Sequence, residues 1–395
     1  MDREAILHIG TPKTGSTSIQ QVLRKRRRDI LAQGAMFPRS PGPGAGGIHS
    51  FLTYAAEGGK YRATDRTWGG VQPAQRLEQF LAELAQEMAA CPANVDRVIF
   101  SHERLSGALQ TREQIERLRA ILAPYFTRFR IVIYLRRQDT LLASQYSQML
   151  RKGMLSDPSS IFSHDNNLKF HDYARLLAGW AEVFGADAIV PRIYERGPDG
   201  NFDSVVDFLA VCGLTLTLSE DDRLRSRNPS ISTVGQTILR QVGGVLDKQG
   251  GGRVQTKPAW RATRGAVTRV LAGPGWTPTR DEAAAFMAQY TAGNEAVRQR
   301  YFPDRASLFS TDFTSLPAER AALTAEDCLQ AASQALVEAF RVHELRERKA
   351  GKRARKAADG RGKPASGPEA DDEVEGHEPD HDEQDEDEFD DDHED

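Results

Sequence analysis

The residues with the most chemical potential fall at three places in the chain. The first is Gly10-Thr11-Pro12-Lys13-Thr14-Gly15-Ser16-Thr17, where two glycines bracket a lysine and hydroxyl side chains follow. This run comes directly after the apolar stretch Ala5 to Ile9. It opens a segment with apolar residues at Ile19, Val22, Leu23, Ile30 and Leu31, a pattern that predicts strand, tight turn and helix. Backbone N–H groups and the positive end of a helix dipole converge at such a turn, which suits a phosphate or sulfate. The second place is FSHERLSG, where Ser101-His102-Glu103 ends a short β-favouring run. The third is IVIYLRRQDTLLASQYSQ, where the strongest strand signal in the chain, Phe129 to Leu135, breaks at Arg136-Arg137.

These three places need elements to hold them together. Helical periodicity is predicted over 73–91, 112–123, 140–152 and 170–184, and strands over 97–100, 129–135 and 188–194. Alternating strands and helices imply a parallel sheet covered by helices on both faces. In open sheets of that kind ligands bind beyond the carboxyl ends of the strands, where all three polar runs sit. The Gly-rich stretch PRSPGPGAGGIHS from Pro38 reads as a surface loop. From Ser230 onward the pattern is mostly helical, a flank on the same unit, interrupted near residues 250 and 275.

The chain has 395 residues, 39% of them hydrophobic, and a formal net charge of -4. That total hides three regions. Residues 346–363 carry nine Lys or Arg against Glu347 and Asp359, residues 369–395 carry eighteen Asp or Glu and no Lys or Arg, and residues 1–345 are left at +7. A positive folded part raises the local concentration of polyanionic ligands. The expected organisation is one domain over 1–345 and a disordered tail over 346–395, basic and then acidic, whose partner the sequence does not specify. Cys91, Cys212 and Cys328 are odd in number and far apart, so neither a disulfide framework nor a metal site is suggested. With no apolar signal core at the N-terminus and no run long enough for a membrane span, a cytoplasmic protein is expected.

The first motif differs from the nucleotide triphosphatase loop, which places Lys directly after the last Gly; here Ser16 stands there and the lysine lies inside, at position 13. In that displaced lysine PKTGSTSIQ resembles the 5′-phosphosulfate loop of the sulfotransferases that use 3′-phosphoadenosine 5′-phosphosulfate (PAPS). That family has a second site for the 3′-phosphate, a strand followed by Arg with a Ser eight residues further on, and Arg136 and Ser144 stand at that spacing. The likeness covers residues 5–200 and extends more loosely to RNPSIS at 227–232 and YTAGNEAVRQRYFPDRASLF at 290–309, which are similar to stretches in bacterial carbohydrate-type members. The resemblance implies an α/β fold with a P-loop-type parallel sheet, PAPS as co-substrate, no metal, and a hydroxyl or amine acceptor of carbohydrate type.

Carried onto this chain, the resemblance makes Lys13 the group that neutralises charge on the oxygen bridging sulfur and phosphorus as that bond breaks. Thr14, Gly15, Ser16 and Thr17 would donate N–H and hydroxyl groups to the 5′-phosphate. Arg136 and Ser144 would hold the 3′-phosphate. A general base must take the acceptor's proton. Branches of the family use either a strand-end His or a Glu, and both stand here, as His102 and Glu103. His102 is preferred, because an unperturbed imidazole titrates near working pH.

Plainer readings compete. Lys13 can be a solvated loop lysine, Arg136 a strand-end ion pair with Arg137 in its functional place, and Ser144 a residue bonded back along its own helix. His102 can be a structural histidine, with His49 as a further acceptor-side candidate, while His8 reads as packed. Two other functions fit parts of the pattern: a P-loop kinase using ATP, and a non-catalytic protein that binds anionic glycans, or nucleic acid through residues 346–363.

Overall fold

The computed structural model describes residues 2–39, 49–58, 73–163, 171–195, 202–220, 222, 230–250 and 253–359. Five strands form one parallel sheet: β1 (Glu4–His8), β2 (Ala35–Met36), β3 (Arg97–Ser101), β4 (Arg128–Leu135) and β5 (Ile189–Ile193), in the order β2-β3-β1-β4-β5. The central strand β1 pairs with β3 on one side, His8 opposite Ser101, and with β4 on the other, His8 opposite Val132. Because the chain leaves β1 toward one side of the sheet and later returns to the other, a crevice opens beyond the carboxyl end of β1.

Alternate side chains of β1 point to opposite faces, and both faces are buried, which is why Ala5 to Ile9 is a continuous apolar run broken only by His8. Ala5, Leu7 and Ile9 join Phe100, Ile131 and Ile133 under the helices Phe51–Ala56, Arg112–Leu122 and Tyr173–Phe184. Ile6 joins Ile99, Val132 and Tyr134 under the helices Ser16–Lys25 and Ser204–Val211. Each large side chain so covered contributes roughly 1.5–3 kcal/mol. Local chemistry sets the helix starts: Thr111 and Gln114 form a capping box before Arg112, and Asp203 accepts from the amides of Val205 and Val206.

The segment expected to be one helix over 16–31 is two, Ser16–Lys25 and Arg27–Ala32, with the break at Arg26. Of the basic residues Arg24 to Arg28 around this break, Lys25 and Arg26 both pair with Asp222, while Arg27 donates to the carbonyls of Phe37 and Pro38. The short edge strand β2 has no periodicity for a sequence reading to find.

The C-terminal part is helical, as expected, and its core is shared by the helices Thr233–Lys248, Pro258–Val270 and Ala325–Asp359, with Trp260 and Val267 fully buried. The last helix corrects the reading of the tail. Residues 346–359, expected to lack structure, are its final turns. The helix starts at a reciprocal cap between Thr324 and Asp327 and is held by Ala331, Ala335 and the Arg269–Glu338 ion pair. It then runs on through Ala, Arg and Lys, residues of high helix propensity that a composition argument scores only for charge. The acidic run 369–395 and most of the Pro38 to Ser50 loop lie outside the described residues, as do positions 227–229. Among the described residues no helix is long and apolar enough to cross a membrane.

Candidate functional site

The first glycine-bracketed run leaves β1 at the centre of the sheet and ends in the helix Ser16–Lys25. Its backbone is pinned from below by Tyr134 of β4, which receives bonds from the Thr11 amide (3.3 Å) and the Thr11 hydroxyl (2.9 Å) and donates its own N–H to Gly10 O (2.7 Å). Tyr134 is itself fixed, its phenol donating to Asp207, which Arg192 grips. Gly10 adopts φ +114°, and a Cβ there would lie 2.6 Å from Glu103 O and 2.9 Å from Ser106 Oγ. Gly15 has φ +90°, and a Cβ would meet Ser204 Oγ at 2.1 Å. Only glycine fits either position.

Gly15 is the N-cap of the helix and supplies no side-chain acceptor, so the first-turn amides meet no capping group. Ser16 is 3% exposed, and its buried Oγ has no hydrogen-bond partner among the described residues. A buried hydroxyl without a partner at the open end of a helix fits an anion held there. Thr14 departs from expectation. Its hydroxyl donates to Thr11 O at 2.5 Å and braces the loop, leaving the backbone as its means of holding a ligand. Lys13 is half-buried with φ +65°, and Thr17 is exposed.

Arg136 joins this loop directly. Its Nη1 donates to Lys13 O at 2.8 Å, its Nε donates to Thr140 Oγ1 at 3.2 Å, and its guanidinium lies 5.5 Å from the centre of the Tyr194 ring. Arg137 is committed elsewhere. It pairs in a two-pronged manner with Asp139, whose side chain is 1% exposed, and donates to the carbonyls of Ser310 and Asp312. Of the two arginines, Arg136 is therefore the one bonded to the loop. Ser144 lies one turn beyond Thr140 on the helix Gln138–Arg151, half-buried, with no bond back along its helix among the described residues. The 290–309 stretch braces this corner: Asn294 exchanges hydrogen bonds with Gln138, and Phe309 packs on Tyr173.

His102 and Glu103 follow β3 immediately. The His102 amide donates to His8 O at 3.0 Å, and the Glu103 carbonyl accepts from Ser106 Oγ at 3.2 Å, which sets this turn against Gly10. The expectation of an imidazole titrating near pH 6.5 is overturned. His102 is buried, and burial, helped by Arg104 and His49, pushes its pKa down to about 3. Glu103 is half-buried.

His49 is structural. Its Nε2 donates to Pro38 O at 3.1 Å and its Nδ1 accepts the Ser101 amide at 3.0 Å, so both ring nitrogens are used. His8 is packed as expected, with Nδ1 2.8 Å from Ser101 Oγ and the ring against Tyr134 and Phe208.

Thr11, Tyr134, Thr140, Tyr173, Tyr194 and Ser204 also build this site, and sequence reasoning did not single them out. Apart from Thr140, four residues from Arg136, their partners lie far away along the chain, so no spacing marks them.

No family model matches the chain. Over 184 residues it is 26% identical to an uncharacterized protein of Archaeoglobus fulgidus; the match covers 44% of this chain and 46% of that protein, so it spans under half of the relative's length. Among solved structures, the chain is similar to the sulfotransferase from Alicyclobacillus acidocaldarius at 13% identity, covering 77% of this chain and 99% of that one, with a TM-score of 0.39. Likeness at that level carries no argument about the reaction, which has to come from the residues themselves.

Proposed function

We propose that this chain is a PAPS-dependent sulfotransferase that moves a sulfuryl group to a hydroxyl or amine acceptor, carbohydrate by class. The observation that carries the reading is the 2.8 Å bond from Arg136 Nη1 to Lys13 O. It sets a guanidinium beside a loop built for one anion, as a donor with two separated anionic groups requires. ATP has no 3′-phosphate to occupy the Arg136 end. The acceptor class rests on the likeness of the 290–309 stretch to carbohydrate-type enzymes.

In this reading the 5′-phosphosulfate lies against the amides of Thr14 to Thr17 and the Ser16 hydroxyl, and the 3′-phosphate against Arg136 and Ser144. The acceptor oxygen or nitrogen attacks sulfur in line. The bond from sulfur to the bridging oxygen breaks, and adenosine 3′,5′-bisphosphate leaves with its new negative charge facing Lys13. The acceptor's proton passes to His102 or Glu103. No step needs a metal. Free thiols at Cys91, Cys212 and Cys328 suit a reducing compartment such as the cytoplasm.

The test is twofold. Adenosine 3′,5′-bisphosphate should raise the melting temperature where ATP does not. Transfer of labelled sulfur from PAPS to a panel of saccharides should be seen with the wild type and should fall by about 10²–10³ in Lys13→Ala. Stabilisation by ATP alone, or no transfer from PAPS to any acceptor, refutes the proposal, whereas transfer unaffected by Lys13→Ala removes Lys13 from the mechanism.

A further inference from the structure

Tyr173 opens the helix Tyr173–Phe184 and is 1% exposed. Its phenol donates to Arg136 O at 2.6 Å and accepts the Arg136 amide at 3.2 Å. One hydroxyl thus satisfies both backbone groups of the residue at which β4 ends, where the sheet ladder no longer supplies partners. Burial pushes the phenol's pKa up, so it stays a neutral O–H donor across the working range. The ring is held by the apolar core above the sheet and by Phe309, and Asp172 caps the helix through the Arg175 amide.

From Arg136 the contact continues into the loop. The Nη1 bond reaches the carbonyl of Lys13, a non-glycine residue at φ +65°, a conformation that needs surrounding contacts to persist. Tyr173, Arg136 and Lys13 therefore form one mechanical chain, from a buried helix start through a strand end to the lysine. Nothing in that chain requires the phenol to touch a ligand.

We infer that Tyr173 is a positioning residue: by fixing the Arg136 backbone it sets both the guanidinium that reads the 3′-phosphate and the backbone conformation of Lys13. This rests on the proposed reading of Arg136 and extends it to a residue outside the motifs. Removing the hydroxyl while keeping the ring should loosen recognition of the 3′-phosphate and slow transfer, with little change in nucleotide contacts elsewhere.

The test is Tyr173→Phe, measured by calorimetry with adenosine 3′,5′-bisphosphate and adenosine 5′-phosphate, alone and combined with Arg136→Ala. Tyr173→Phe should weaken the bisphosphate about tenfold, the scale of one hydrogen bond, and the monophosphate less than about twofold. In the Arg136→Ala background, adding Tyr173→Phe should change bisphosphate affinity by less than about twofold, since the pair acts as a unit. Turnover should fall about tenfold with the acceptor KM unchanged.

An unchanged ratio of the two nucleotides in Tyr173→Phe, or additive losses in the double variant, overturns the inference while leaving the sulfotransferase reading intact. A wild type that binds both nucleotides equally overturns the reading of Arg136 and the inference with it. Hydrogen exchange on the wild type covers the case of a variant that does not fold. The Arg136 amide should be strongly protected without any nucleotide, and rapid exchange there refutes the anchoring.

Discussion

Lowering the pH from 7.5 to 5.5 should cost this protein much of its stability, and the reason is four histidines. His8, His49, His102 and His171 are 0%, 1%, 3% and 0% exposed, and burial holds each pKa down at about 3. In the folded chain they stay neutral over this window. Unfolded, each takes up a proton below about pH 6.5. The unfolded state therefore binds more protons, so the histidines' contribution is complete above pH 6.5 and is lost as pH falls from there toward 3. His49 shows why the fold cannot simply accept the proton: its Nδ1 already receives the Ser101 amide.

Well below pH 6.5 each histidine costs about 1.4 kcal/mol per pH unit, and four of them sum to roughly 5 kcal/mol between pH 7.5 and 5.5. Set against a typical total of about 5–15 kcal/mol, that is a large share. Glu295 and Glu338, held at about 2 by arginine partners, stay ionised throughout and do not contribute here.

Urea unfolding followed by the fluorescence of Trp180 and Trp260 should show a midpoint lower by roughly 2 M at pH 5.5 than at pH 7.5, for a slope near 3 kcal/mol per M. His171→Phe keeps a ring against Phe286 and Tyr290 and should cut the pH-dependent loss by about a quarter. A midpoint that moves by less than about 0.5 M refutes the argument, because it means the histidines are reached by solvent or protonated in the fold.

Two further outcomes are expected. Gly15→Ala forces a Cβ against Ser204 Oγ at φ +90° and should destabilise the fold by about 1–3 kcal/mol in the same urea assay, with loss of nucleotide binding; an unaltered midpoint would mean the loop is shaped differently. If His102 is the base, His102→Ala removes most turnover and Glu103→Gln is mild, and the wild-type rate stays level from pH 7.5 to 6 because burial holds the imidazole near 3. The reverse pattern, with Glu103→Gln the inactive variant, assigns the base to Glu103.

Elements whose signal is periodic were legible from the residues alone. β1, β3, β4 and β5 and the helices starting at Pro73 and Arg112 lie within a residue or two of the expected bounds, because two buried faces and regular capping leave their mark on neighbouring positions. So did the loop from Gly10 to Thr17 and its place between a strand and a helix, since its chemistry is contiguous.

What needed the tertiary structure involves residues distant in the chain. Arg136 rather than Arg137 faces the loop because Asp139, packed at 1% exposure, captures Arg137. The pKa of His102 is a property of what surrounds it, and the sequence carries only the unperturbed value. Tyr173 reaches Arg136 across 37 positions. The Thr14 hydroxyl turns inward to Thr11 because the loop closes on itself. A linear pattern records which groups are present and how neighbours alternate. Hydrogen bonds between strand ends, and the desolvation that moves a pKa, exist only once the chain has packed.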